Sequence, residues 1–535
     1  MQVAGHDSVR GPELQGFVSF FTASCTVIGK CGHTGLARRG QGGYGFRRRA
    51  VLKSSGGLTS ALKEVAGDSE YHPADAPIAS LRVPELRGEP PMRKSMRVLS
   101  LFVLLALLIP ACGTPATEPP ATEAPAEPVR LVVWWWGEQE APGAQAWLDE
   151  TMALYTEANP TVTFEAVLQS TDTLIPAFQS AAAAKEGPDI QYFWGGVWTI
   201  ENAWTGAIIP VDDLIPAAEW DHYINAFERQ YDGQTWGVPW YLSGNPVVFN
   251  PELFTKAGLD PNAPPATWDE LLVACDKLRA VDVIPIAGGV KDGWFGGWLF
   301  SILARQPHDS EKAFMQASVG DASYTDPKFT EWWGRLQELK DRGCWNEDIG
   351  SLDYQQGQDL FVTGKAAMLF GNDTFLAGWA ETMGWDKIGL MLTPRYGTGA
   401  LADDYIVTAQ GWGITSWSKY PQQAADFLVF MHTPDRVNAW FKATGVLPAD
   451  DRLDSSLITQ PQLKQVYDWD TTVGGPNLEN FIPSIMDEQA NFAGVQLLFA
   501  GDSTPEELGV LTEDVNAKWR EQNPDAAANF KAWIK

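Results

Sequence analysis

Residues 130–168 read RLVVWWWGEQEAPGAQAWLDETMALYTEANPTVTFEAVL, and their rhythm decides the fold. RLVVWW (130–135) is a short apolar run that predicts a strand. QAWLDETMALYTEANP (145–160) keeps its apolar residues on one helical face and stops before Pro160. TVTFEAVL (161–168) alternates as a second strand. The pattern then repeats, with a helix over TLIPAFQSAAAAKEG (173–187) and a strand over PDIQYFW (188–194). Strands alternating with helices argue for an α/β chain with a mainly parallel sheet. Ligands of such sheets bind outside the carboxyl ends of the strands. WWWGE (134–138) and FWGGVW (193–198) both sit at such ends, so their tryptophans belong to the mouth of a cleft.

Upstream, the chain changes character. All 24 tryptophans lie after residue 128. MRKSMR (92–97) carries three positive charges, VLSLFVLLALLIPA (98–111) is uncharged, and Cys112 follows. A basic start, a short apolar run and a small residue before the cleavage point make a secretory signal. The run is shorter than the ~20 residues of a spanning helix. Ile109, Pro110, Ala111 and Cys112 resemble a bacterial lipobox, although Pro110 departs from the usual small residue. Cys112 is therefore the expected lipidation site and membrane anchor. The alternative is an ordinary secretion signal with an incidental cysteine. GTPATEPPATEAPAEP (113–128) has five prolines and no large apolar side chain, so 112–128 reads as a lipidated cysteine with a disordered tether. Residues 1–91 precede the signal, hold 11 Lys and Arg against 8 Asp and Glu, and show no sustained period. They read as a non-native extension, with translation starting at Met92 or Met96. The alternative is a basic arm for nucleic acid.

After Cys112 the chain has 25 Lys and Arg against 59 Asp and Glu, a net charge of −34. That field repels nucleic acid and suits neutral or cationic ligands. Only Cys275 and Cys344 remain there. Cys275 shares a helical face with Leu271 and Leu278, so it faces a core. The two thiols could pair in an oxidising compartment, but they make no disulfide framework.

The order of the later segments resembles a known family. GPDI (187–190) follows an Ala-rich helix, and AIIPVDDL (207–214) comes next. DGQTWGVPWYLSGNPVVFNPELFTKAGLD (232–260), ATWDEL (266–271), FVTGKAAMLFGN (361–372) and QGWGITSWSKYPQQAADFLVFMHTPDRVNAWF (410–441) follow. TGVLPA (444–449) and DSTPEELGVL (502–511) complete the series. Together they resemble the extracellular solute-binding protein family 1 of ATP-binding-cassette (ABC) importers, in its sugar-binding, maltose-binding-protein-like branch. The resemblance covers 129–535. It implies a two-lobe periplasmic-binding-protein fold with crossing hinge strands and an interlobe ligand cleft. Lobe one would hold about 129–242 and 407–432, and lobe two about 243–406 and 433–535. It also implies a monomer outside the membrane that closes on a sugar or oligosaccharide. That monomer would deliver its ligand to the transmembrane subunits of an ABC permease, without a cofactor or metal.

Sugars present an apolar face to an aromatic ring and a rim of hydroxyls to polar groups. The expected ligand-binding residues follow from position. Trp136 and Glu138 lie after the first strand, and Trp194 and Trp198 after the third. Trp240, Tyr241 and Ser243 lie at the first crossing. Trp294 and Trp298 lie where relatives carry a stacking aromatic. Asn372 and Asp373 follow the GKAAM strand. Asp403, Asp404, Gln410 and Trp412 lie at the second crossing. Alternation places Trp134 and Trp136 on one face, and Trp134 matches a core position of the family. Asn372 reads equally as a helix cap, and Phe481 as a further platform from lobe two.

Enzymatic readings have less behind them. A secreted glycoside hydrolase needs two carboxylates flanking one bond, and nothing marks such a pair. SWSK (416–419) satisfies S-x-x-K, but no K-T-G follows. His222, His308 and His432 lack metal-ligand spacing. A binding protein for a quaternary amine or polyamine is the other reading, since tryptophans with acidic residues recognise such cations.

Overall fold

A computed structural model describes residues 127–534. The extension, the signal, Cys112 and most of the tether lie outside the described residues. Among those described, no helix is long and apolar enough to cross a membrane.

The strands are β1 (Val129–Trp135), β2 (Val162–Leu168), β3 (Ile190–Phe193), β4 (Gln230–Tyr231), β5 (Gln234–Thr235) and β6 (Val238–Gly244). They continue as β7 (Val247–Phe249), β8 (Ile284–Ala287), β9 (Ala366–Phe370), β10 (Gly389–Met391), β11 (Tyr405–Ile414) and β12 (Gly474–Gly475). Two sheets carry the fold. The first runs β12-β11-β3-β1-β2, with β6 paired to β11. The second runs β10-β7-β9-β8. β1 is parallel to both β2 and β3, as the alternating pattern predicts. β8 is also parallel to β9, and β11 to β12, but the rest departs from the mainly parallel expectation. β11 runs antiparallel to β3 and β6, and β7 antiparallel to β9 and β10. Those strands arrive from distant sequence, so no local helix–strand rhythm announces their direction.

The first sheet packs on its own core, in which Leu131, Val133 and Trp135 bury alternate positions of β1. The helix Ala144–Ala158 closes that core through Trp147, Leu148 and Met152. The second sheet has a separate core around Phe249, Met368, Trp332 and Trp333, with the last two rings stacked at 3.7 Å. The helix Trp268–Arg279 starts in a capping box of Thr267 and Glu270 and buries Leu271, Cys275 and Leu278. Cys275 is disulfide-bonded to Cys344, with Cα atoms 5.4 Å apart.

β6 runs into β7 through Asn245 and Pro246, so the first crossing joins the two sheets directly. β11 (Tyr405–Ile414) is the second crossing. The third, which the lobe bounds put near 432–433, is drawn out, since Asp451 N still donates to His222 O at 3.0 Å. The helix Pro434–Thr444 serves both cores, sending Trp440 into the first and Val437 and Phe441 into the second. Leu242 N then donates to Leu447 O at 2.8 Å, and Ala449 N to Trp240 O at 3.0 Å, so 447–449 still runs beside β6.

Candidate functional site

A cavity of about 490 Å³ opens at the carboxyl ends of β1 and β3, between the two sheets. After β1, the backbone turns at Gly137 (φ 130°) and places Trp136 and Glu140 on the wall. Trp136 is held firmly. Its Nε1 donates to Thr171 Oγ1 at 3.0 Å, and its ring lies 5.7 Å from Tyr192 and 5.8 Å from Trp194. Trp194 meets Trp198 edge-on at 5.3 Å. From the second lobe, Trp294 and Trp298 form a matching edge-on pair at 5.1 Å. Aromatic walls thus line the cavity from both lobes.

The floor is polar. Tyr241 Oη donates to Glu140 Oε2 at 2.8 Å, and Ser243 Oγ donates to Glu140 Oε1 at 3.2 Å. Asn372 Nδ2 donates to Ser243 Oγ at 2.8 Å, while its Oδ1 accepts from Thr374 N. Asn372 is therefore both cap and cavity wall. Burial pushes the Glu140 carboxyl up to about 7, against the hydrogen bonds from Tyr241 and Ser243. Beside it, Tyr192 Oη donates to Gln410 Oε1 at 3.0 Å. Asn480 Nδ2 donates to Thr408 Oγ1, which donates to Glu228 Oε2, each at 2.7 Å. Gly196 (φ 56°) makes that last chain possible, because a Cβ there would lie 2.3 Å from Asn480 O.

Of the residues expected in the cleft, Trp136, Trp194, Trp198, Ser243, Trp294, Trp298, Asn372 and Gln410 line the cavity. The others stand elsewhere. Glu138 turns away and accepts from Gly143 N and Gln145 N, so it serves the start of the Ala144–Ala158 helix. Trp240 and Trp412 are buried in the first core, 4.6 Å apart. Tyr241 lies behind the wall and holds Glu140. Asp373 is buried at the crossing, where it accepts from Gly244 N and Tyr405 Oη. Asp403 pairs with Arg395 on the surface, and Asp404 with buried Arg305. Phe481 stacks on Trp533 instead of facing the cavity. Trp134 is half-buried on the opposite face of β1, and Trp135 fills the core in its place.

Sequence reasoning missed Glu140, Asn477, Glu479, Asn480 and Asp487, all on the cavity wall. Glu140 stands two residues from Glu138 in a loop whose turn no periodicity reveals. The stretch 477–492 ends in a π-helical segment, Asp487–Phe492. Such segments recur at functional sites, but this one has no sequence motif. Among the described residues that line the cavity, six are acidic and none is Lys, Arg or His. No group of three or more His, Cys, Asp or Glu among the described residues is arranged to hold a metal ion.

Two lobes linked by crossing strands, with an aromatic and polar cavity between them, define the architecture of a ligand-binding receptor. Residues 150–464 match the family described as bacterial extracellular solute-binding protein, and the chain belongs to it. Among curated relatives, the sn-glycerol-3-phosphate-binding periplasmic protein UgpB of Salmonella paratyphi A is 28% identical over 220 residues, 39% of this chain and 48% of that protein. Its counterpart in Escherichia coli strain K12 is 27% identical over 218 residues, with the same coverage. The chain spans about half the length of the curated relatives it matches. Among solved structures, a chitin oligosaccharide binding protein superposes with a TM-score of 0.66 at 24% identity, over 73% of this chain and 98% of that one. An ABC substrate-binding protein of Listeria monocytogenes, in complex with cycloalternan, gives 0.59 at 19%, over 74% and 100%. At these identities the likeness is one of fold.

Proposed function

We propose that this protein is the extracytoplasmic substrate-binding lipoprotein of an ABC importer. It captures a sugar or oligosaccharide by hinge closure and delivers it to the membrane permease. The observation that carries the reading is the pairing of tryptophans from both lobes over a floor of carboxylate, amide and hydroxyl groups. Indoles stack on the apolar faces of pyranose rings, and the floor takes their hydroxyls. The cavity volume falls in the usual range for small-molecule sites, about 300–1,000 Å³. The solved relatives named for oligosaccharides share the fold.

The curated relatives are named for glycerol-3-phosphate. This cavity suits a phosphate poorly, since six acids line it and, among the described residues, no Lys, Arg or His does. Titration of the purified protein with neutral oligosaccharides and with glycerol-3-phosphate, read by tryptophan fluorescence, tests the reading. A saturable change with a saccharide and none with glycerol-3-phosphate is the expected result. Saturation by glycerol-3-phosphate alone would overturn it. Anchoring through a lipid on Cys112 is part of the same proposal. Cys112→Ser should move the protein from the membrane fraction to the soluble one, and unchanged detergent-dependent fractionation would refute the anchor.

A further inference from the structure

One end of the cavity is more acidic than neutral hydroxyls require. Glu479 and Asp487 both line it; burial pushes both carboxyls upward, helped by the charge of Asp487 at Glu479 and by that of Glu488 at Asp487. Asn477 Nδ2 donates to Glu479 Oε1 at 2.7 Å. Its own Oδ1 has no partner, although Asn477 is only 3% exposed and lines the cavity. Asp487 is 1% exposed, and its Oδ2 is likewise unpartnered.

The fold makes room for this pair. Gly297 lies in the helix Phe295–Ala304, and a Cβ there would stand 2.6 Å from Glu479 Oε2 and 3.1 Å from Asp487 Oδ1. The acids therefore rest against bare backbone, next to Trp298 and three residues from Trp294. Asp292 and Glu488 line the cavity as well. Among the described residues two buried guanidiniums stand nearby and are engaged elsewhere: Arg229 sits behind the floor against Glu228 and donates to Ala409 O, and Arg305 pairs with Asp404 and donates to Leu401 O and Pro476 O.

A neutral hydroxyl supplies one donor and no charge. A protonated amine supplies three donors and the missing positive charge. Indole faces add to its attraction. We infer that this end of the cleft takes a protonated amino group of the bound saccharide. Glu479 is the half-buried contact, Asn477 Oδ1 a second acceptor, and Asp487 the charge behind them. The inference rests on the saccharide reading and narrows its ligand to glycans that carry a free amine.

Calorimetry of the purified protein with four probes tests it: the β-1,4-linked glucosamine trimer, its N-acetylated form, cellotriose and spermidine. The glucosamine trimer should bind at least about tenfold tighter than the other two trimers, a difference of about 1.4 kcal/mol. Glu479→Gln should erase that preference. Equal or tighter binding of the acetylated or hydroxyl trimer overturns the amine assignment and leaves the saccharide reading standing. A preference that survives in folded Glu479→Gln, and equally in Asp487→Asn, overturns it too. Failure of all three trimers, with or without binding of spermidine, overturns both readings.

Discussion

Trp135 and Trp136 are neighbours with different work. β1 buries its odd positions, so Trp135 continues the core row of Leu131 and Val133. The strand ends at Trp135, and the turn at Gly137 swings Trp136 onto the cavity wall. Trp135→Ala should leave a core cavity and cost ~3–5 kcal/mol of stability with little change in the affinity of correctly folded protein. Trp136→Ala should weaken saccharide binding about tenfold, roughly 1.4 kcal/mol, and lower stability less than Trp135→Ala does. Thermal melting and calorimetry on both variants separate the two roles, and a reversed pattern would exchange them. Glu140 adds a pH dependence. The unfolded chain keeps its proton only up to the ordinary carboxylate value of 4.5, and the folded chain up to about 7. The folded state thus holds the extra proton between those values, so stability falls as pH rises through that window and is flat above it. Glu140→Gln should remove this contribution. At pH 8 the variant should melt at or above the wild type while binding saccharide more weakly. A variant that melts lower at pH 8 than at pH 5 by as much as the wild type would show that Glu140 does not carry the effect.

At the scale of elements, the disulfide ties the helix Trp268–Arg279 to the residues after the helix Pro327–Asp341. It spans 69 positions, and a loop of that size constrains the unfolded chain by ~4 kcal/mol. Reduction should lower the melting temperature, and Cys275→Ala with Cys344→Ala should match the reduced protein. Unchanged melting in dithiothreitol would mean the bridge adds no stability. The bridge also shows where the sequence stops being readable. Its helix was legible, because Thr267, Glu270 and the Leu271–Cys275–Leu278 stripe are local signals. The bridge itself stayed open: Cys344 was the only other thiol after Cys112, but its place after Gly343 says nothing about what lies beside it. The parallel half of the first sheet was legible for the same reason, each strand leading into its own helix. The antiparallel strand β11 was not, because its neighbours β3 and β6 come from far up the chain. The candidate site divides likewise. Tryptophans at strand ends were found from position. Trp240 and Trp412 were misplaced because a strand crossing between lobes is buried on both faces, so alternation does not mark the cavity side. Glu479 and Asp487 were missed because their cavity position depends on Gly297, almost two hundred residues away.

At the largest scale, the described residues hold a state in which the lobes touch at contacts outside the crossing strands β6 and β11. Ser484 Oγ donates to Glu201 Oε2 at 2.6 Å, and Ser484 N to Glu201 Oε1 at 3.2 Å. Trp533 Nε1 donates to Gln230 O at 3.0 Å, and Phe530 lies 5.8 Å from Trp204. None of these residues lines the main cavity. Rotation about the two paired crossing strands would break all of these contacts together and leave the sheets intact, which is the signature of a hinge. A ligand favours closure only through contacts it makes better in the closed state, such as stacking between the Trp194–Trp198 and Trp294–Trp298 pairs. Small-angle scattering should therefore give a smaller radius of gyration with a saturating saccharide than without. Ser484→Ala supplies the second arm. It removes a hydrogen bond to Glu201 that rotation of the lobes would break, worth about 1.5–3 kcal/mol. The closed population then falls, and the apparent affinity falls with it by about tenfold or more, although no cavity side chain has changed. Saturating ligand should still bring the variant to the wild-type closed radius. If scattering is the same with and without ligand, the lobes do not move. If Ser484→Ala binds as tightly as the wild type while the radius still shrinks, closure is driven by the ligand's own contacts and the Glu201–Ser484 bonds are not a latch.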